Sequence, residues 1–429
     1  LVSAMAIWVG IVLVVLTGAV AIWPEAPTAL FGLDAARAAQ TETLIRIMAP
    51  ALALQGFSAI FTAMLQIHGR FAGPAAVGVA FNFGIILGVL AGQGTLRIPA
   101  AGRGVVLGAT LQVVLQLPQF IRLLRENDVA AALTHPRLGA MGLLALPVLG
   151  ASLLQQINSF TDKLFASSLE AGRVAALNFA SALGQAPRVA LLLPLMTPLF
   201  PVIAKLVAEE READALNAFR RVAGLLALVS VPMMLLLAIY SHEVAQLAFQ
   251  RKKCGTECID QIGPPLLFYA LALWPAFQAF LLNRTLSAAR RQRFILTTTA
   301  ITVAITVILD IILLGPLEQA GLALASTIGV YASAVMLLMG LRSQFPSFAM
   351  RSLAVRQGRI LIAGALCAAT ALVLNLVAPT DDLGSLEMLP ALLAKLVAAL
   401  AVYWAVARIL SRAELNEATR SLRSLVARG

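Results

Sequence analysis

Three charged residues interrupt long apolar stretches in the middle of the chain, and chemistry is expected there first. Asp162 and Lys163 stand in INSFTDKLFASSLEAG, and Arg188 stands in SALGQAPRVALLLP. A charge placed in hydrocarbon is costly, so each should face a water-filled cavity or a partner. Lys163 and Arg188 could bind an anionic headgroup, and a guanidinium forks naturally onto phosphate. Asp162 could orient one of them or bind a cation. The competing reading is structural: an Asp–cation pair, or Lys163 snorkelling to the outer interface.

No soluble-enzyme motif accompanies these charges. The stretch SHEVAQ at 241–246 is not the HExxH zinc motif, and the glycines near Gly102 lack the strand–turn–helix setting of a nucleotide site. His68, His135 and His242 lie at span ends or in loops and receive no ligand role. The expectation is therefore a protein with no catalytic residue, no metal ligand and no cofactor, apart from a coupling ion or the membrane potential.

The elements that must position the charges follow from composition. Hydrophobic residues make up 60% of the chain and charged ones 12%, whereas a soluble domain carries about 25% charged residues. The mean hydropathy is +0.89. Apolar stretches of about 20 residues match the bilayer's hydrocarbon thickness. They predict spans at roughly 1–23, 44–68, 73–92, 105–124, 139–165, 173–204, 219–240, 264–286, 293–314, 321–342, 358–378 and 388–410. Most Lys and Arg residues fall in alternate connections, around Arg70, Arg122, Lys205, Arg221, Arg290, Arg342, Arg359 and Arg412. The richer side is expected to be cytoplasmic, with both ends of the chain inside. The net charge of +11 thus sits between apolar blocks without aromatic interleaving, which argues against nucleic acid. Ala208–Arg221 reads as a cytoplasmic surface helix joining two spans. Cys254 and Cys258 fall in an outer loop, where a disulfide is permitted; CGTEC lacks the second pair that zinc would need.

Two stretches repeat. Arg70-Phe71 and Arg293-Phe294 each open a span, and Gly-x-x-Leu-x-x-Thr opens the next, at Gly104–Thr110 and Gly321–Thr327. Both copies start on the cytoplasmic side, as in two-lobed transporters built from parallel repeats.

These residues resemble the MurJ/MviN family of the MOP exporter superfamily, over nearly the whole chain. LQIHGRFAGPAAVGVAFN carries the likeness through Leu65, Arg70, Phe71, Pro74, Ala75 and Asn82. GATLQVVLQLP carries it through Gln112, Gln116 and Pro118. The segment from Gln156 to Pro187 carries it through Asp162, Ala166, Ser167, Gly172, Leu177, Asn178, Ala180 and Leu183, and LLNRTLSA through Arg284.

The resemblance implies an all-α multi-pass membrane protein: a two-lobed MOP-exporter-like helix bundle around a cationic cavity, with two additional C-terminal helices. It implies flipping of lipid II, an undecaprenyl-pyrophosphate-linked sugar lipid, by a monomer among membrane lipids of the bacterial cytoplasmic (inner) membrane. Arg188, Lys163, Asp162, Arg70, Arg284, Asn82 and Gln112 become the substrate-binding candidates. The chain departs from the family at Ser181 and Ala182, where an Asp-Arg or similar pair is usual, and Arg188 is the candidate replacement. The alternatives are another MOP-type exporter, of polysaccharide-lipid or drugs, or a non-transporting scaffold.

The expected division is 1–136 for a first lobe of four spans, 137–345 for a second lobe of six, and 346–429 for two further spans and a cytoplasmic tail. A first lobe equivalent to the second implies two more spans upstream of Leu1.

Overall fold

The computed structural model describes residues 2–29, 35–70, 72–92, 97–125, 138–167, 169–170, 172–250, 255–379 and 385–410. The described residues contain helix and no strand. The chain divides into two compact units, Leu1–Ala145 and Leu146–Gly429. The C-terminal spans therefore cluster with the second lobe.

The first unit holds α1 (Val2–Ile22), α2 (Glu25–Ala29), α3 (Ala35–Ile67), α4 (Ala72–Ala91) and α5 (Arg97–Arg125). Its tightest contact is between α4 and α5. A Cβ on Gly84 would lie 2.3 Å from the Gly108 Cα, and one on Gly88 2.4 Å from the Gly104 Cα. Two Gly-x-x-x-Gly pairs therefore face each other, and the backbones touch where lipid offers no hydrophobic drive to hold helices together. Gln116, fully buried, ties α5 to α3: it donates to Ser58 Oγ at 2.8 Å and accepts from Thr62 Oγ1 at 2.8 Å.

The second unit takes in most of α6 (Leu138–Ser167). It continues with α7 (Arg173–Pro187), a π-helical turn (Arg188–Leu192), α8 (Leu193–Ala208), α9 (Glu212–Ile239), α10 (Ser241–Phe249), α11 (Thr256–Leu271) and α12 (Leu273–Ala288). It ends with α13 (Gln292–Gln344), α14 (Met350–Val377) and α15 (Ser385–Leu410). Helix α9 is central, with Phe219, Leu226 and Val231 buried to 1% exposure or less. The α14–α15 hairpin packs on it: Tyr403 donates to the Leu228 carbonyl at 2.8 Å and Tyr240 to the Ala371 carbonyl at 3.1 Å. Lys395 is buried between them and donates to Asn375 Oδ1 at 2.8 Å.

Ten of the twelve expected spans each lie on one helix; 173–204 is divided into α7, the π turn and α8, and 264–286 into α11 and α12. Among the described residues, seven helices are long and apolar enough to cross a membrane, or eight with the α11–α12 pair, which bends by 42°. Two expected spans form one helical run, α13, whose arms fold back at Glu318 (φ 52°, ψ −131°). Gly321 meets the Leu313 carbonyl, Gly329 meets Thr306, and Gly340 meets Phe294, so the arms pack antiparallel. Both copies of the repeat are thus hairpins closed by glycine.

The surface helix expected at Ala208–Arg221 is not a separate element. Helix α8 runs to Ala208, the chain turns at 209–211, and Glu212 already opens α9. That turn recurs. The Arg70, Arg211 and Arg291 N–H groups each bond the carbonyl five residues back, on Leu65, Leu206 and Leu286. The preceding residue, Gly69, Glu210 or Arg290, has φ of 71°, 58° or 57°. This is the Schellman stop, which satisfies terminal carbonyls.

Candidate functional site

Asp162 lies on α6 and points into the second unit. Its Oδ2 accepts from Ser326 Oγ at 3.3 Å, on the second arm of α13. Its carboxyl interacts with that of Asp310, on the first arm. Asp310 is fully buried. Neither of its oxygens, nor Asp162 Oδ1, finds a hydrogen-bond donor among the described residues. A buried carboxylate pair requires a compensating positive charge, either a shared proton or a cation held by its oxygens. No group of three or more His, Cys, Asp or Glu suited to a metal occurs among the described residues. The donors here are two carboxylates with neighbouring hydroxyls, a hard-oxygen set that suits a small cation.

Asp162 also lines a cavity of about 340 Å³ with Asn158, Ser181, Gln185, Arg188 and Tyr269. Local sequence explains how Arg188 reaches it. Ser181, Gln185 and Arg188 recur at i, i+4 and i+7, one face of an ordinary helix, and the π turn begins only at Arg188, which keeps α-helical dihedrals (φ −64°, ψ −46°). Arg188 then shares the cavity with Ser181 and Gln185, which bond each other at 2.7 Å. It stands with Ser181, the first of the two positions where the resemblance expects a charge, whereas Ala182 is exposed elsewhere. On the far wall, a Cβ on Gly184 would lie 2.7 Å from the Tyr269 Cβ, so α7 and α11 approach closely here.

The remaining candidates do not line this cavity. Lys163 follows Asp162 but is exposed. Arg284 stacks on Phe280, with the guanidinium carbon 5.1 Å from the ring centre. In the first unit, Arg70 donates to the Gln119 carbonyl at 3.3 Å, Gln112 to the Val77 carbonyl at 3.2 Å, and Asn82 to the Gly78 carbonyl at 3.0 Å. His242 meets Asp260 at 2.9 Å. Cys258 is disulfide-bonded, Cys367 is free and buried, and Cys254 lies outside the described residues.

Asp310 stands in an apolar stretch of the sequence but is not among the site residues expected from it. A signal was present, since Thr298, Thr302, Thr306 and Asp310 recur at intervals of four and mark one polar stripe on an apolar helix. Arg173 was also overlooked. It holds Glu170, Glu318 and Gln319 together at the turn of the α13 hairpin.

Comparison with known proteins fits this architecture. The family described as "Lipid II flippase MurJ" matches residues 1–391. A "Probable lipid II flippase MurJ" from Rhizobium meliloti (strain 1021) is 28% identical over 92% of this chain and 75% of its own length. The "Lipid II flippase MurJ" of Burkholderia cenocepacia is 25% identical over 70% of this chain and 60% of its own length. A solved lipid II flippase MurJ in an inward closed conformation superposes with a TM-score of 0.77 at 17% identity, covering 96% of this chain and 84% of its own. The Vibrio cholerae MATE transporter VcmN superposes at 0.59 with 15% identity, covering 81% and 80%. The likeness to these two solved structures bears on fold alone, but the family match spans most of the sequence, and on that ground this multi-pass membrane chain belongs to the lipid II flippase MurJ family.

Proposed function

We propose that the chain moves lipid II from the inner to the outer leaflet, with Arg188 meeting the diphosphate and the Asp162–Asp310 pair holding a coupling cation. Its family is one of transporters, not enzymes. The observation that carries the reading is one cavity shared by a guanidinium and a carboxylate. A guanidinium offers five donors in a planar fork, matched to phosphate oxygens. The carboxylate pair supplies the second requirement of directed transport, a charge whose gain and loss couples to the ion gradient. The side rich in Lys and Arg is cytoplasmic on this reading, and the protein works as a monomer in the inner membrane.

A cationic drug would also suit a carboxylate pair, but a guanidinium in the same cavity would repel it. The test is rescue of cells depleted of their own lipid II flippase by the full-length protein. Wild type and Arg188→Lys should restore growth, fully and partly. Arg188→Ala and Asp310→Asn should not, although both reach the membrane. Rescue by both failing variants at the wild-type level would overturn the reading. So would efflux of cationic drugs by a wild-type protein that does not rescue.

A further inference from the structure

A second cavity, of about 240 Å³, lies beside the first and shares Asn158, Ser326 and Val330 with it. Its wall is the threonine stripe of α13: Thr298, Thr302 and Thr306. At 1.5 Å per residue the stripe climbs roughly 18 Å from Thr298 to Asp310, winding only about 40° per step. Asn283 and Ser333 complete the lining. No charged residue lines this cavity among the described residues.

The hydroxyls are arranged in a particular way. Thr302 donates its proton to the Thr298 carbonyl at 2.6 Å, and Thr306 donates to the Thr302 carbonyl at 3.0 Å. A hydroxyl that spends its proton on its own helix presents lone pairs outward. The stripe therefore offers acceptor oxygens one turn apart, as hydrated cations require. Thr298 is the exception. Its side chain is 2% exposed, yet its Oγ1 has no partner among the described residues, so it calls for a water or ion in the cavity. The volume holds several waters, at about 30 Å³ each in the liquid. Gly329 faces the upper end, where a Cβ would lie 2.4 Å from Thr306 Oγ1.

The cavity's far end is defined by the chain's course. Thr298 lies in the first turns of α13, after Arg290, Arg291 and Arg293, and Asn283 lies near the end of α12. The stripe thus leads from the basic end of this arm, where Thr298 lies, toward Asp310 at its other end. At its upper end, Ser326 lines both cavities and bonds Asp162.

We propose that this threonine-lined cavity is a hydrated passage through which a small monovalent cation travels between the Asp162–Asp310 pair and the basic face of the membrane. The inference rests on the reading of that pair as a coupling site, and the experiment separates the two. The full-length protein is reconstituted into liposomes, and Thr298→Cys, Thr302→Cys and, as an outward-facing control, Ile308→Cys are labelled from the basic face. A cationic methanethiosulfonate should modify the two stripe positions about tenfold or more faster than the control, and faster than a sulfonate reagent of similar size. Thr302→Val should leave equilibrium binding of ²²Na⁺ unchanged and slow its exchange about tenfold, the value of one oxygen contact to a charge. Stripe cysteines as inert as Ile308→Cys, or labelled as fast by the sulfonate, would overturn the passage. Wild-type ²²Na⁺ binding in Asp310→Asn would instead overturn the coupling site.

Discussion

Replacing Gly88 by alanine tests whether backbone contact holds the first unit's hairpin together. The new Cβ would lie 2.4 Å from the Gly104 Cα and 2.7 Å from the Ala100 carbonyl oxygen. Ordinary carbon contacts lie at about 3.5–4 Å. Both obstructing atoms are backbone, so no side chain can swing aside, and α4 and α5 must part by about 1 Å. Overpacking of this kind costs roughly 1–3 kcal/mol, against about 1 kcal/mol gained in helix propensity when alanine replaces glycine. Gly78 provides the control within the same helix, because a Cβ there meets nothing within 4 Å. Gly78→Ala should therefore gain up to about 1 kcal/mol while Gly88→Ala loses up to about 2. A difference of roughly 2 kcal/mol is more than tenfold in the unfolding equilibrium. The assay is the folded fraction of the full-length protein in detergent across a heating series, read by size exclusion. If Gly88→Ala proves as stable as Gly78→Ala, the hairpin is not held by backbone contact and the packing argument fails.

Glu210→Gly and Arg290→Gly should each stabilise by about 0.5–1 kcal/mol, because both residues hold positive φ where Gly69 sits in the equivalent turn; thermal midpoints would check this, and a loss at both would refute it. Gln116→Leu should destabilise by roughly 1–3 kcal/mol by leaving Ser58 and Thr62 without their partner, and adding Ser58→Ala and Thr62→Val should recover part of that loss in the same assay. Arg173→Gln should cost about 1 kcal/mol and speed protease cleavage near Glu318, whose strained backbone the arginine holds through its carboxylate.

Much of the architecture was legible in the residues. Apolar length set the positions of the spans, because a bilayer core admits only segments that bond their own backbone. The repeat was legible as Arg-Phe and Gly-x-x-Leu-x-x-Thr, and in the structure both copies are glycine-closed hairpins. The stop at Glu209–Arg211 was not legible. Glycine marks the same turn at Gly69, but Glu210 and Arg290 carry no such mark, so a helix-forming composition across Ala208–Arg221 read as one element.

By itself, the sequence determined which residues are out of place in hydrocarbon: Asp162, Lys163, Arg188, Asp310 and Lys395. Composition and cost are local properties, and each charge declares itself against its own neighbours. Only the tertiary structure decided which of them meet. Asp162 and Asp310 stand 148 positions apart in the chain and face each other because the α13 hairpin packs beside α6. Arg188 joins Asp162 in one cavity because the face of α7 that carries Ser181, Gln185 and Arg188 turns toward it. Lys163, one residue from Asp162, is turned outward by the helical period, and Lys395 is taken up by Asn375. The pairing depends on helix rotation and hairpin closure, which are settled by glycine contacts and buried hydrogen bonds between segments distant in sequence.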